Sequence, residues 1–157
     1  KQNVSENWIL HMKAIQKYGT NDVLFEFGAG KSLIQNLFLS PYVSEQILVD
    51  LNPMLDLSLV EASRVFLSSK MTLPSNKPIS KRSDLNDYGI DYRAPFDASE
   101  TGLGDKFVDV CVSTNTLEHI PRDDLIKIFG PDIAVQKKVN LVIQRPFDKN
   151  FSLGFDI

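Results

Sequence analysis

Hydrophobic and polar positions along the chain switch between two rhythms. Over residues 4–18 the apolar residues Trp8, Ile9, Met12, Ile15 and Tyr18 recur close to helical spacing, and Gly19 follows as a stop, which predicts a lead-in helix. The pattern then becomes a continuous apolar run over residues 23–27, broken only by Glu26, as expected of a central strand covered on both faces. A helical pattern over residues 32–39 stops at Pro41, "QILVDLN" (46–52) reads as a second buried strand, and a helix is predicted from about Leu55 to Lys70. Residues 71–91 hold two prolines, a glycine and the basic cluster "KPISKR", and read as a loop or an inserted lobe. "IDYRAPFD" predicts a third strand running into a turn at Pro95. The clearest strand is "KFVDVCVST" (106–114), rich in β-favouring residues and followed by the helix signal "PRDDLIKIF"; "VNLVIQR" (139–145) is a fifth.

Strands alternating with helices predict the α/β class: a doubly wound, mostly parallel sheet with helices on both faces. At 157 residues the chain has room for one domain, with residues 1–21 as the lead-in helix, 22–129 as the core, and 130–157 as the fifth strand and a short C-terminal part. A net charge of −3 gives no general attraction to nucleic acid or to an anionic membrane, so neither is an expected partner. The basic cluster "KPISKR" reads as a solvated loop rather than an anion site. No run approaches the roughly 20 apolar residues of a membrane span. The single cysteine, Cys111, excludes an intramolecular disulfide and favours a reducing, cytoplasmic setting; amid valines it reads as a buried, inert thiol. The chain opens at Lys1 rather than Met, which leaves a trimmed leader open.

Chemistry enters at "DVLFEFGAGKS", residues 22–32. A phosphate loop of the G-x-x-x-x-G-K-[ST] type would match Gly30, Lys31 and Ser32, but its first glycine falls on Phe25 inside the strand. A dinucleotide turn would use Gly28-Ala29-Gly30, with Leu33 at the third glycine and Asp50 as the downstream acid. A third reading groups Glu26, Gly28 and Gly30 as acidic-x-Gly-x-Gly. An ordinary strand-to-helix turn would explain the glycines alone.

The third reading gains from the acids that follow in order. Asp50 ends the second apolar run 24 residues after Glu26, "APFDAS" supplies Asp97, and "FVDVCVSTNTLEHIPRDDL" (107–125) joins a strand to a helix through a polar turn. As a set these segments resemble the class I S-adenosylmethionine-dependent methyltransferases over residues 22 to about 129. The resemblance implies a Rossmann-like sheet and a cofactor pocket built from Glu26, Gly28, Ala29, Gly30, Asp50, Leu51, Asp97, Ala98 and Asn115. Glu26 would receive the ammonium group of the methionine part, Asp50 the ribose hydroxyls, Leu51 would flank adenine, and Asp97 with the amide of Ala98 would read its edge. His119 would be the base or substrate-orienting residue, acting on a small-molecule methyl acceptor, since imidazole titrates near neutral pH.

Some relatives hold a divalent metal with Glu-x-x-Glu-His at this turn. Here Asn115 replaces the first carboxylate before Glu118 and His119, so no metal is expected. The third glycine of the family's first motif is Ser32, and after residue 129 the Lys-Pro-Gly-Gly-like turn is absent. The family has two more strands where "FDKNFSLGFDI" offers room for one. Either segments near 130–138 and after 157 are omitted or the fold is shortened; an uncovered central strand would invite aggregation, which favours omission. Two rivals stay open: a non-catalytic module that keeps the fold for protein contacts, and an enzyme that binds a nicotinamide dinucleotide.

Overall fold

The computed structural model describes residues 6–18, 22–103, 107–113, 116, 119–129 and 141–144. Helix α1 (Glu6–Tyr18) precedes strand β1 (Val23–Phe27), followed by α2 (Ile34–Leu39), β2 (Glu45–Val49), α3 (Leu57–Ser68), β3 (Ile90–Arg93), β4 (Val110–Ser113), α4 (Arg122–Phe129) and β5 (Leu141–Gln144). The five strands form one sheet in the order β3-β2-β1-β4-β5. β1, β2, β3 and β4 are mutually parallel, and β5 runs antiparallel to β4, pairing Val110 with Gln144 and Ser113 with Leu141. This is a Rossmann-like α/β arrangement: β2 and β3 are added on one side of β1 and β4 and β5 on the other, so the strand order reverses between β1 and β4.

The alternation of side chains along each strand assigns the two faces. Leu24, Leu48, Ile90, Tyr92, Val110 and Val112 join a core with Ile15 of α1, Leu37 of α2 and Val60 and Leu67 of α3. On the other face Phe25, Phe27, Ile47, Val49 and Cys111 pack with Leu125 of α4. Helices therefore cover both faces, and β1 has its near-continuous apolar sequence because it sits between them. Helix α3 buries Val60, Ser63 and Leu67 at helical spacing; its N-cap Asp56 accepts from the amides of Ser58 and Leu59 at 3.0 and 3.2 Å. Its start is tied to the glycine turn, since the Asp56 amide donates to the Lys31 carbonyl at 3.0 Å.

Three elements differ from the sequence expectation, the first being β5, which the alternation of strands and helices predicts as parallel and which runs antiparallel to β4. Within the predicted loop 71–91, residues Arg82–Tyr88 form a 3-10 helix that buries Leu85 and Tyr88. Its spacing of two apolar positions three apart is too sparse a signal to stand out between prolines. The basic cluster at its start is engaged by its own fold: Arg82 donates to the carbonyls of Tyr92 and Ala94, and Lys77 pairs with Asp87 at 3.1 Å. The strand predicted from residue 106 begins only at Val110, which pairs with Leu24 of β1; Phe107 is exposed. The expectations for residues 130–138 and 145–157 lie outside the described residues. Among the described residues no helix is long and apolar enough to cross a membrane.

Candidate functional site

In an open parallel sheet, ligands bind outside the carboxyl ends of the strands where the strand order reverses. Here that point lies between β1 and β4, and the loops leaving these strands meet there. Gly28 has φ +76°, and a Cβ built on it would lie 2.3 Å from the Thr116 hydroxyl oxygen, so position 28 requires glycine on two counts. Thr116 Oγ1 in turn lies 3.4 Å from the Gly28 carbonyl. Gly30 differs: its φ is +79°, but a Cβ there would meet nothing within 4 Å, so the turn is open on that side. A third left-handed residue is Leu33, φ 46°, at the start of α2. It is the position of the dinucleotide motif's third glycine, here taken by a leucine that is buried in the core.

Glu26 points from β1 toward α2 and is 2% exposed. Asn36 Nδ2 donates to one carboxylate oxygen at 2.6 Å and Gln35 Nε2 to the other at 3.1 Å. Gln46, on β2, donates to the Asn36 carbonyl at 2.9 Å and accepts from its side chain at 3.3 Å. Burial pushes the Glu26 carboxyl up to about 7, with the Asn36 and Gln35 amides acting the other way and Asp50 adding a small upward push. Beyond Gln35, His11 of α1 is 1% exposed, and neither ring nitrogen meets a hydrogen-bond partner in good geometry among the described residues. Burial holds its pKa down at about 4, the neighbouring Gln35 side chain opposing the shift.

Asp50 sits at the end of β2, also buried, across the glycine turn from Glu26. It accepts from the Tyr92 hydroxyl at 2.8 Å, and the backbone amides of Gly30 and Ala29 face it. Burial raises its pKa above the usual carboxylate range, and these three donors limit the rise. Its backbone extends the β2–β3 pairing: the Asp50 amide donates to the Arg93 carbonyl and its carbonyl accepts from Phe96. Leu51, next along, is 68% exposed.

A cavity of about 260 Å³ opens over the turn, bordered by Glu26, Gly28, Gly30, Ser32, Asn36 and, from α1, Trp8. No lysine or arginine is among its described lining. Glu26, Gly28, Ala29, Gly30 and Asp50 are thus brought together. Asp97 and Ala98 lie on the next loop, where Asp97 caps a short 3-10 turn by accepting from the Ser99 amide and hydroxyl, both at 2.8 Å. The Ser99 donors hold its carboxyl below the usual range. His119 is exposed in the turn after β4, with its amide donating to the Thr116 carbonyl at 3.0 Å. Asn115 lies outside the described residues. Cys111 is buried, and burial, with Glu26 nearby, pushes its thiol up to about 12, which leaves it protonated.

Four contributors are not identified by the sequence alone. Tyr92 reaches Asp50 from 42 residues away, and only strand register brings them together. Gln35 and Asn36 did carry a signal, as two polar residues on the inward side of a short apolar helix. Trp8 was legible as a helical stripe residue and not as a cavity wall. Comparison of the chain with protein-family models, with curated proteins and with solved structures finds no match.

Proposed function

We propose that this chain binds S-adenosylmethionine at the carboxyl edge of its sheet and catalyses methyl transfer to a small-molecule acceptor. The observation that carries the proposal is the pair of buried carboxylates, Glu26 and Asp50, closing on one glycine turn at the strand-order reversal. The cavity beside Glu26 suits a positive group: an acidic side chain, an aromatic ring and no basic group among its described lining. Its 260 Å³ is below the roughly 300–1,000 Å³ of a whole small-molecule site, which suits one end of the cofactor, the amino-acid end.

Glu26 would take the ammonium group there. Asp50 would accept from the ribose hydroxyls, with the open side of Gly30 admitting the ligand. Exposed Leu51 would offer a face for adenine, and the resemblance adds Asp97, the Ala98 amide and Asn115 to the pocket. When bound, the cofactor supplies an electrophilic methyl on sulfonium, which the acceptor displaces in line. The chain's part is positioning; His119 would accept the proton of a hydroxyl acceptor.

Calorimetric titration and thermal shift test this directly. S-adenosylmethionine should bind and raise the melting temperature where NAD does not, and Asp50→Asn should weaken binding by about tenfold or more. Absence of binding by the unaltered chain would overturn the proposal. One observation favours a second reading, a module without cofactor: Asp50 is already engaged by the Tyr92 hydroxyl and Thr116 covers Gly28. In that case neither ligand shifts the melting temperature, and Asp50→Asn leaves the biological activity intact. A shift with NAD alone would point to the nicotinamide enzyme instead.

A further inference from the structure

Helix α1 precedes the Rossmann-like core in sequence, yet it returns to the site through one side chain. Trp8 is half-buried, its ring centroid is 5.9 Å from that of Phe38 on α2, and it borders the cavity over the glycine turn. Glu26 borders the same cavity from β1. An indole carries negative potential on its faces, and of the aromatic side chains it attracts cations best, most strongly where water is excluded. A ring and an acidic side chain bordering one space with no lysine or arginine among its described lining favour a positive group over a neutral one.

We infer that Trp8 is a specificity-determining residue that recognises the positively charged end of the bound ligand, acting through its ring face together with the Glu26 carboxylate. The inference rests on the reading of the site as one for S-adenosylmethionine, which carries two onium charges, a sulfonium and an ammonium. It adds that α1 is part of the ligand site, so that the core alone would bind with the charge selectivity diminished.

The chain offers a clean test, because Trp8 is its only tryptophan. Replacing tryptophan biosynthetically with its mono-, di- and trifluorinated forms changes this one ring, keeps its approximate shape, and progressively withdraws the negative potential from its face. The unlabelled and labelled full chains are titrated calorimetrically with S-adenosylmethionine, with S-adenosylhomocysteine, which keeps the ammonium and lacks the sulfonium charge, and with methylthioadenosine, which has neither. Affinity for S-adenosylmethionine should fall stepwise with fluorination, by about fivefold or more across the series, while that for methylthioadenosine stays level. A fall confined to S-adenosylmethionine assigns the ring to the sulfonium; an equal fall for S-adenosylhomocysteine assigns it to the ammonium. Unchanged affinity across the series, or an equal fall for methylthioadenosine, would overturn the inference while leaving the cofactor reading standing. If the unlabelled chain binds none of the three, both fall together.

Discussion

The two faces of strand β1 are built on opposite principles. Phe25 and Phe27 turn to the α4 side, where they cluster with Ile47, Val49, Cys111 and Leu125, and the one buried polar residue that strand alternation adds among the described residues is Ser113, at the end of β4. Leu24 and Glu26 turn to the α2 side, where the apolar core is interrupted by Glu26, Gln35, Asn36, Gln46 and His11, all buried. Burying an acidic group costs free energy unless its polar atoms are satisfied; here two amides donate to the Glu26 oxygens, and burial still raises its pKa to about 7. The contrast separates tasks: one face supplies cohesion, and the other holds a polar group against the glycine turn. A sheet stabilised by burial alone would have no reason to place a glutamate at position 26.

The comparison is broken most severely from the apolar side. Phe25→Ala, at a site 6% exposed, should cost about 3–5 kcal/mol in denaturant unfolding; a cost below 1 would show that this face is not the cohesive one.

The polar face should reveal itself through pH. Because the Glu26 pKa is raised, the native state holds a proton that the unfolded chain has lost, so stability from this group is full below about 4.5 and declines as pH rises to about 7. His11 acts oppositely: its depressed pKa makes stability full above about 6.5 and declining as pH falls toward about 4. The two slopes oppose each other in the original chain. Glu26→Gln should gain up to about 3 kcal/mol at pH 8 and leave stability rising with pH, whereas His11→Phe should leave it falling. Parallel melting curves for the two variants across this range would refute the assignment.

The smallest effects concern the turn. Gly28→Ala combines left-handed strain with the Thr116 clash and should cost about 2–3 kcal/mol. Gly30→Ala, with the strain alone, should cost about 1. Adding Thr116→Gly to the first variant should recover the steric part, measured as a double-mutant cycle; an additive cycle would mean that the two loops do not press on each other.

The legibility of the molecule followed the range of the forces involved. β1 and β2 could be read because central strands concentrate apolar residues, and Asp50 because it ends such a run. The direction of β5 could not, since Leu141–Gln144 would suit either orientation and the choice rests on pairing with β4. β-favouring residues at Phe107 and Val108 extended the expected strand past its observed start, because a propensity says nothing about whether a partner stands opposite. Within the site, the glycines and acids announced themselves locally. Tyr92, Trp8 and Thr116 did not, as each acts on a residue far along the chain.

The contact between Gly28 and Thr116 also bears on how this chain could diverge. Eighty-eight positions apart, they share one small volume: the loop leaving β1 fits under the loop leaving β4 because the first gives up its side chain. A descendant that acquires a side chain at position 28 has to shrink position 116 in the same lineage, and a larger residue at 116 keeps 28 locked as glycine. Paired change at these two positions is therefore a signature by which distant kin of this chain could be told from unrelated sheets of the same order.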